Sequence, residues 1–398
     1  MLPRLTAQLP GTGGTIKETP ADFFVEEIPA YLPSGEGSHL YLLIEKQGLT
    51  TFSLLQELAR QRGVRDRDCG YAGLKDARAT TRQWVSVPEV PESAIQSFTL
   101  ENARVLEHSR HTNKLRPGHL RGNRFRIHIH NTAEEALVRA TEILHVLNLT
   151  GVPNYFGQQR YGVLANNQDV GRCLLQGNFD QALNQIIGDP QQITHEHWQQ
   201  AAAAFVAGDL TTAMERLPRR MAEERRLIQD LIRGKSIRQA VLGLPKKRLL
   251  LYLNAYQSSV FDRQVAMRLA SLDVLWSGDI AYIHSKGACF RVEDPQQEQE
   301  RVDNFEISPS GFLPGKKVML AEGQSGILER ALLEKEGVAP EQYTALSGLQ
   351  LQGERRPLRF PLQQASCSTL GDGLQLEFIL PAGCFATSVL REVMKTDF

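Results

Sequence analysis

Asn123-Arg-Phe-Arg-Ile-His-Ile-His130 alternates without a break. Phe125, Ile127 and Ile129 fall on one side of an extended chain, and Arg124, Arg126, His128 and His130 on the other. A period of two is the pattern of a strand with one face on an apolar core. The chain must therefore build a sheet and a layer to cover it. The polar face is wholly basic: His108 to His130 holds six Lys/Arg, five His and no Asp or Glu. A run so free of acids favours contact with phosphate over plain solvation.

A second stretch carries candidate chemistry. Gly70-Tyr-Ala-Gly-Leu-Lys75-Asp76-Ala-Arg-Ala-Thr-Thr-Arg-Gln83 leads into the β-like run Trp84-Val-Ser-Val87. Its glycines and alanines leave little side-chain bulk, so the backbone can lie close to something large. Polar loops between strands are where sheet enzymes commonly place reactive groups. Asp76 is a candidate nucleophile or base, and the adjacent Lys75 would hold it ionised. For an arbitrary Lys-Asp pair the ordinary reading is a solvated surface turn that contributes little.

The chain's 398 residues suffice for two domains and a large core. Formal net charge is zero, so any affinity for nucleic acid must come from segregated charge. Segregation is visible. Pro218 to Arg248 carries ten Lys/Arg against three Asp/Glu, with Arg219, Arg220, Lys246, Lys247 and Arg248 at its ends. The five cysteines are scattered, odd in number and without a Cys-x-x-Cys pair. That pattern fits reduced thiols, with no disulfide framework and no zinc site. No signal peptide and no membrane-spanning run is read, so a cytoplasmic protein is expected.

Local signals order the rest. Thr50 or Thr51 caps a helix to about Arg62, closed by Gly63. Thr132 with Glu135 forms a capping-box pattern for a helix to about Leu149. Val152 to Gly162 packs three aromatics, two glycines and Asn154 into eleven residues, suited either to a nucleobase or to an aromatic core corner. Helical segments are expected near 167–175, 179–187, 191–207 and 221–233, then a long helix over 249–272. A β-like region follows at 278–322 and a helix at 324–336. A hairpin is read at 362–369 and 374–380 across Gly371-Asp-Gly373, then a last helix to about Lys395.

Five motifs, in order from residue 22 to 388, resemble those of the tRNA pseudouridine synthase D (TruD) family. They are Asp22-Phe-Phe-Val-Glu-Glu27; Gly35-Glu-Gly-Ser-His39 with Lys46-Gln-Gly-Leu-Thr50; the Asp76 loop; Pro153-Asn-Tyr-Phe-Gly-Gln-Gln-Arg-Tyr-Gly162; and Leu380-Pro-Ala-Gly-Cys-Phe-Ala-Thr387. A sixth string, Asn254 to Asp262, is similar but ends in Asp where the family has Asn, and Tyr161 stands where the family has Phe.

The resemblance implies an α/β fold: a mixed, largely antiparallel sheet with helices, bent around a cleft, with an inserted α/β domain as the other wall. The expected layout is a catalytic domain over 1–165 and 351–398. The insertion at 166–350 has soft borders, and helix 249–272 is a candidate to pack on the catalytic domain. It implies isomerisation of uridine to pseudouridine in tRNA, usually at position 13, with no metal, redox or nucleotide cofactor; no protein partner is implied. By resemblance Asp76 is the nucleophile, with Lys75 beside it. Phe23, Asn154, Phe156 and Phe385 line the base site, and Glu27 supports it. Arg124, Arg126, Arg219, Arg220, Lys246, Lys247 and Arg248 would hold the RNA backbone. Whether Asp76 attacks C1′ or removes a ribose proton stays open. The base must leave its stack before this chemistry.

Two other classes remain. A non-catalytic RNA-binding or RNA-folding protein would keep the basic faces and have no need of Asp76. A hydrolase of small glycosides would require two carboxylates flanking the bond, and only Asp76 is well placed, with Glu27 a poor second.

Overall fold

The computed structural model describes residues 2–88, 100–344, 346 and 348–397. The chain divides into two compact units, one of residues 4–152 and 360–397, the other of Pro153–Arg359 with the extreme N-terminal residues. The long helix expected at 249–272 runs instead over Lys246–Met267 and belongs to the second unit.

The first unit is built on one eight-stranded sheet. Its first six strands are β1 (Phe23–Pro29), β2 (His39–Lys46), β3 (Gly70–Tyr71), β4 (Thr80–Pro88), β5 (Ala103–His111) and β6 (Leu120–Ile129). The hairpin Gln363–Leu370 and Gly373–Pro381 completes it. The hairpin joins the outer edge of β6, and β1, β4, β2 and β5 follow on the other side, with β3 against β4. Among the described residues of this sheet, β1 and β4 run parallel and the other pairings are antiparallel.

Register assigns the faces. Phe23 pairs with Ile127 and Val25 with Phe125, so these share one side; Phe24 pairs with Arg126 and Glu26 with Arg124 on the other. The alternation read in β6 is real: Phe125, Ile127 and Ile129 are buried between more exposed basic neighbours.

Helix α1, Thr51–Arg62, begins where its cap predicts. The Thr50 hydroxyl accepts the Ser53 N–H at 3.0 Å, and Gly63 ends the helix in the left-handed region at φ 64°. Leu54, Leu55 and Leu58 pack on Leu40, Leu42, Ile44, Val85 and Val87. Each leucine so buried contributes about 1.5–3 kcal/mol. The second cap fails. The helix after β6 is Ala136–Thr150, starting at Glu135 with no side-chain cap.

The second unit is largely helical. Asn167–Gln176, Phe179–Ile187, Glu196–Val206 and Ala222–Ile232 match the expected segments, with Leu210–Arg216 between the last two and Ile237–Leu242 after them. A four-stranded sheet of Glu354–Pro357, Ile307–Leu313, Ile280–Ile283 and Cys289–Arg291 accompanies them. Gly171 lets its helix approach the long one closely: a Cβ there would lie 2.2 Å from the Tyr252 carbonyl oxygen. Among the described residues, no helix is long and apolar enough to cross a membrane.

Candidate active site

The loop from Tyr71 to Ala79 is shaped by its own motif residues. The Gln83 side-chain amide donates to the Gly73 carbonyl at 3.3 Å, and its oxygen accepts from the Thr51 hydroxyl at 3.0 Å. That same hydroxyl oxygen accepts the Lys75 N–H at 3.0 Å. Thr51, Ala79, Thr81 and Gln83 are all buried. The motif is therefore a hydrogen-bonded clamp as much as a chemical site.

Lys75 and Asp76 point apart, as neighbours on an extended backbone do. Lys75 Nζ meets Glu27 Oε2 at 2.6 Å, with side chains only 4% and 0% exposed. Gly73 makes room for this pair, since a Cβ there would stand 3.0 Å from Nζ and 3.4 Å from Oε2. Burial pushes the Glu27 carboxyl above its usual range, and Lys75 opposes the shift. The expectation that Lys75 holds Asp76 ionised is thus corrected: its ammonium belongs to Glu27.

The cation at Asp76 is Lys17, 59 residues away, with Nζ 2.7 Å from Oδ2. Asp76 Oδ1 accepts the Arg78 N–H at 3.0 Å. The Asp76 side chain is 44% exposed, open to a substrate. Partial burial works to raise its pKa; the bonds from Lys17 and Arg78 and the charges of Lys17 and Lys46 outweigh it and hold the carboxyl below the ordinary aspartate range. Lys46 is buried beneath, donating to the carbonyls of Leu49 at 2.5 Å and Asp76 at 3.4 Å. Burial, with help from Lys75, pushes its pKa down to about 8.

Sequence reasoning missed Lys17. Its backbone sits at φ 61°, unusual for a residue with a Cβ, and its ammonium also lies 4.4 Å from the Phe23 ring centroid. Thr15 pins the segment to β6 through two hydrogen bonds with His130, at 2.9 and 2.8 Å. The signal was the left-handed turn after Gly13-Gly14, which nothing in the sequence linked to Asp76. Lys17→Gln is expected to lower kcat/KM about tenfold or more by removing the charge that favours the carboxylate. In the wild type kcat/KM should stay flat down to about pH 5 as far as Asp76 decides it, because a lowered pKa keeps the carboxylate ionised in mild acid. In Lys17→Gln the acidic fall should begin at higher pH. Coincident pH profiles would remove Lys17 from this role.

Phe23 is buried, edge-on to Phe125 at 6.2 Å, beside Lys17. Phe385 is 39% exposed at the N-cap of the last helix, Ala386–Met394. Asn154 and Phe156 lie in the second unit. The Asn154 amide donates to the Pro357 carbonyl at 2.7 Å, and its oxygen accepts from Arg356 at 2.6 Å. It therefore holds Arg356, whose guanidinium lies 4.6 Å from the Phe156 ring centroid. Asp262 accepts the Phe156 N–H at 2.9 Å and the Tyr161 hydroxyl. The two positions that depart from the family pattern, Tyr161 and Asp262, are thus partners in one hydrogen bond.

The basic residues divide. Arg124 lies 3.9 Å from Glu26, and Arg126 stacks 4.8 Å from the Phe24 ring, in register with Glu377. The acid-free run is flanked by acids from neighbouring strands, which sequence spacing cannot reveal. Arg219, Arg220, Lys246 and Lys247 are exposed. Arg248 is bonded to Glu224 at 2.7 Å and Glu223 at 3.1 Å, and its side chain stays 34% exposed. It ties two helices together, and its charge is shared with those acids.

The sequence profile of the tRNA pseudouridine synthase D (TruD) family matches residues 3–393. The chain belongs to the TruD family. It is 54% identical over 393 residues to the tRNA pseudouridine synthase D of Syntrophotalea carbinolica, covering 99% of each chain. It is 49% identical to the protein of the same name in Geobacter metallireducens, covering 98% of this chain and 97% of that one. A crystal structure from Methanosarcina mazei, described under the TruD name, superposes with a TM-score of 0.87 at 26% identity, over 99% of this chain and 96% of that one. The mixed, largely antiparallel fold expected from the motifs is the fold of this TruD chain.

Proposed function

We propose that this chain isomerises uridine to pseudouridine in tRNA, at position 13, with Asp76 as the carboxylate that acts on the ribose. The observation that carries the reading is a half-exposed carboxylate, fixed by Lys17 and the Arg78 amide, on the loop that bears the family's motif. An ionised, oriented carboxylate can attack C1′ or take a ribose proton. Pairing with Lys17 keeps it ionised, and Phe23 beside it supplies an aromatic wall. Glu27 and Lys75 hold the loop from below. In the second unit, Arg356 lies over the Phe156 ring and is held there by Asn154. Purified protein should form pseudouridine in a tRNA transcript with uridine at position 13, and none when that position is cytidine. Tight tRNA binding without product, across several uridine-13 tRNAs, would favour the non-catalytic RNA-binding reading.

Lys246 and Lys247 supply the backbone contact in this reading. Both sit in the first turn of their helix, which contains no acid. Cations there oppose the helix dipole, so they are better explained by an anionic partner than by helix stability. Replacing both by Ala should weaken tRNA binding and lower the slope of log affinity against log salt by roughly 1.5–2. An unchanged slope would place the RNA elsewhere.

A further inference from the structure

The chemistry proposed for Asp76 makes no use of a second cluster in the first unit. Asp22, at the end of the short turn Pro20–Asp22, meets His128 of β6 and His130 just beyond its end. The two histidines alternate on the strand, so both rings stand on one face, with centroids 3.8 Å apart. Asp22 Oδ1 lies 3.1 Å from His130 Nε2 and 3.7 Å from His128 Nδ1. One ligating atom from each residue lies within 4.8 Å of the other two. Two donors each about 2.1 Å from one ion, at tetrahedral to octahedral angles, stand roughly 3–3.4 Å apart.

An outer contact orients the His128 ring. Its Nε2 is 3.1 Å from the Leu370 carbonyl oxygen, which can only accept, so Nε2 carries a proton and Nδ1 is the atom turned to Asp22. His130 Nδ1 faces Asp372 Oδ1 at 3.8 Å, leaving Nε2 as the inward atom. The carbonyl behind His128 is the usual support of a metal-bound histidine, whereas Asp372 lies beyond hydrogen-bond reach of His130. His130 Nε2 is buried and lies 3.1 Å from Asp22 Oδ1, a contact that either a proton or a metal cation can bridge. Asp22 Oδ2 is occupied separately, accepting the Thr19 N–H at 2.6 Å.

We propose that Asp22, His128 and His130 form a site for one divalent transition-metal ion, with Zn²⁺ as the natural probe. Two imidazoles and a carboxylate suit such an ion and disfavour Mg²⁺. The ion would clamp the turn before Phe23 onto β6 and so fix the segment that delivers Lys17 to Asp76. Its role is structural, not chemical. The sequence conceals it because Asp22 stands far from the His-x-His pair, which by itself reads as part of a basic face.

The test is equilibrium dialysis and thermal unfolding of the full, chelator-treated chain with Zn²⁺ or Mg²⁺. The expected result is one Zn²⁺ per chain with a Kd on the order of micromolar. Zn²⁺, unlike Mg²⁺, should also raise the Tm by a few degrees. His128→Asn with His130→Asn should weaken binding about 100-fold and abolish the shift. If the double variant does not fold, Asp22→Asn, which keeps an acceptor for the Thr19 amide, takes its place with the same expected loss. No saturable Zn²⁺ binding by the wild type below about 100 µM would overturn the site. So would undiminished affinity in the folded variants, which would assign the zinc to cysteines elsewhere.

Discussion

Asp76→Asn should lower pseudouridine formation by roughly 10⁴-fold or more while leaving tRNA affinity nearly unchanged. Removing a nucleophile from a preorganised site costs on that scale in enzymes where it has been measured. Asparagine is close in size and can still accept the Arg78 N–H, so the loop should keep its shape. It cannot ionise, and an amide oxygen is too weak a nucleophile or base for the ribose. Lys17 would lose its ion pair, but at a half-exposed position this costs little stability. The measurement is single-turnover pseudouridine yield alongside tRNA binding. Equal yields in the two proteins would remove Asp76 from the mechanism and return Phe23, Lys17 and the loop to a binding role.

Lys75→Met should destabilise the first unit by about 3–5 kcal/mol, because it leaves the Glu27 carboxylate buried without a counter-ion. The effect depends on pH in a defined sense. Burial already holds the Glu27 pKa above its unfolded value, and removing Lys75 raises it further. A raised carboxyl favours the folded state below its unfolded pKa and loses that advantage as pH rises through the folded pKa. The deficit of the variant should therefore be greatest at neutral pH and shrink in acid. Glu27→Met together with Lys75→Met removes both charges and should recover most of the loss. Urea unfolding followed at pH 7 and pH 5 distinguishes these outcomes. A single variant within about 1 kcal/mol of wild type at pH 7 would mean that the pair is solvated, contrary to its burial.

The second result bears on how the Asp76 motif is read. Its invariant-looking pattern mixes two tasks. Asp76 faces outward to Lys17, whereas Gly73, Lys75, Thr81 and Gln83 shape and anchor the loop. Much of what looks catalytic in the string is therefore support for one exposed carboxylate.

Short-range signals were legible wherever the physics is local. Strict alternation identified β6, because period two admits no other regular structure. Thr50 and Gly63 bounded α1, because cap chemistry is decided within four residues. The Gly371-Asp-Gly373 turn located its hairpin. Where two local signals competed, the reading slipped. Asp294 followed by Pro295 starts a helix, Pro295–Asp303, inside the stretch read as β-like. The Thr132/Glu135 box did not form.

What the sequence determined by itself is most of the elements and the family they compose, and it nominates Asp76 as the carboxylate of the proposed reaction. Each depends on residues close together or on motifs in fixed order. The tertiary structure alone decided which charges meet. It gave Asp76 to Lys17 and Lys75 to Glu27, supplied acids beside the acid-free strand, paired Arg248 with Glu223 and Glu224 and brought Asp22 to His128 and His130. Charge pairing is set by distances in space of a few ångströms, and β-sheet register joins residues tens to hundreds of positions apart. No spacing along the chain encodes that.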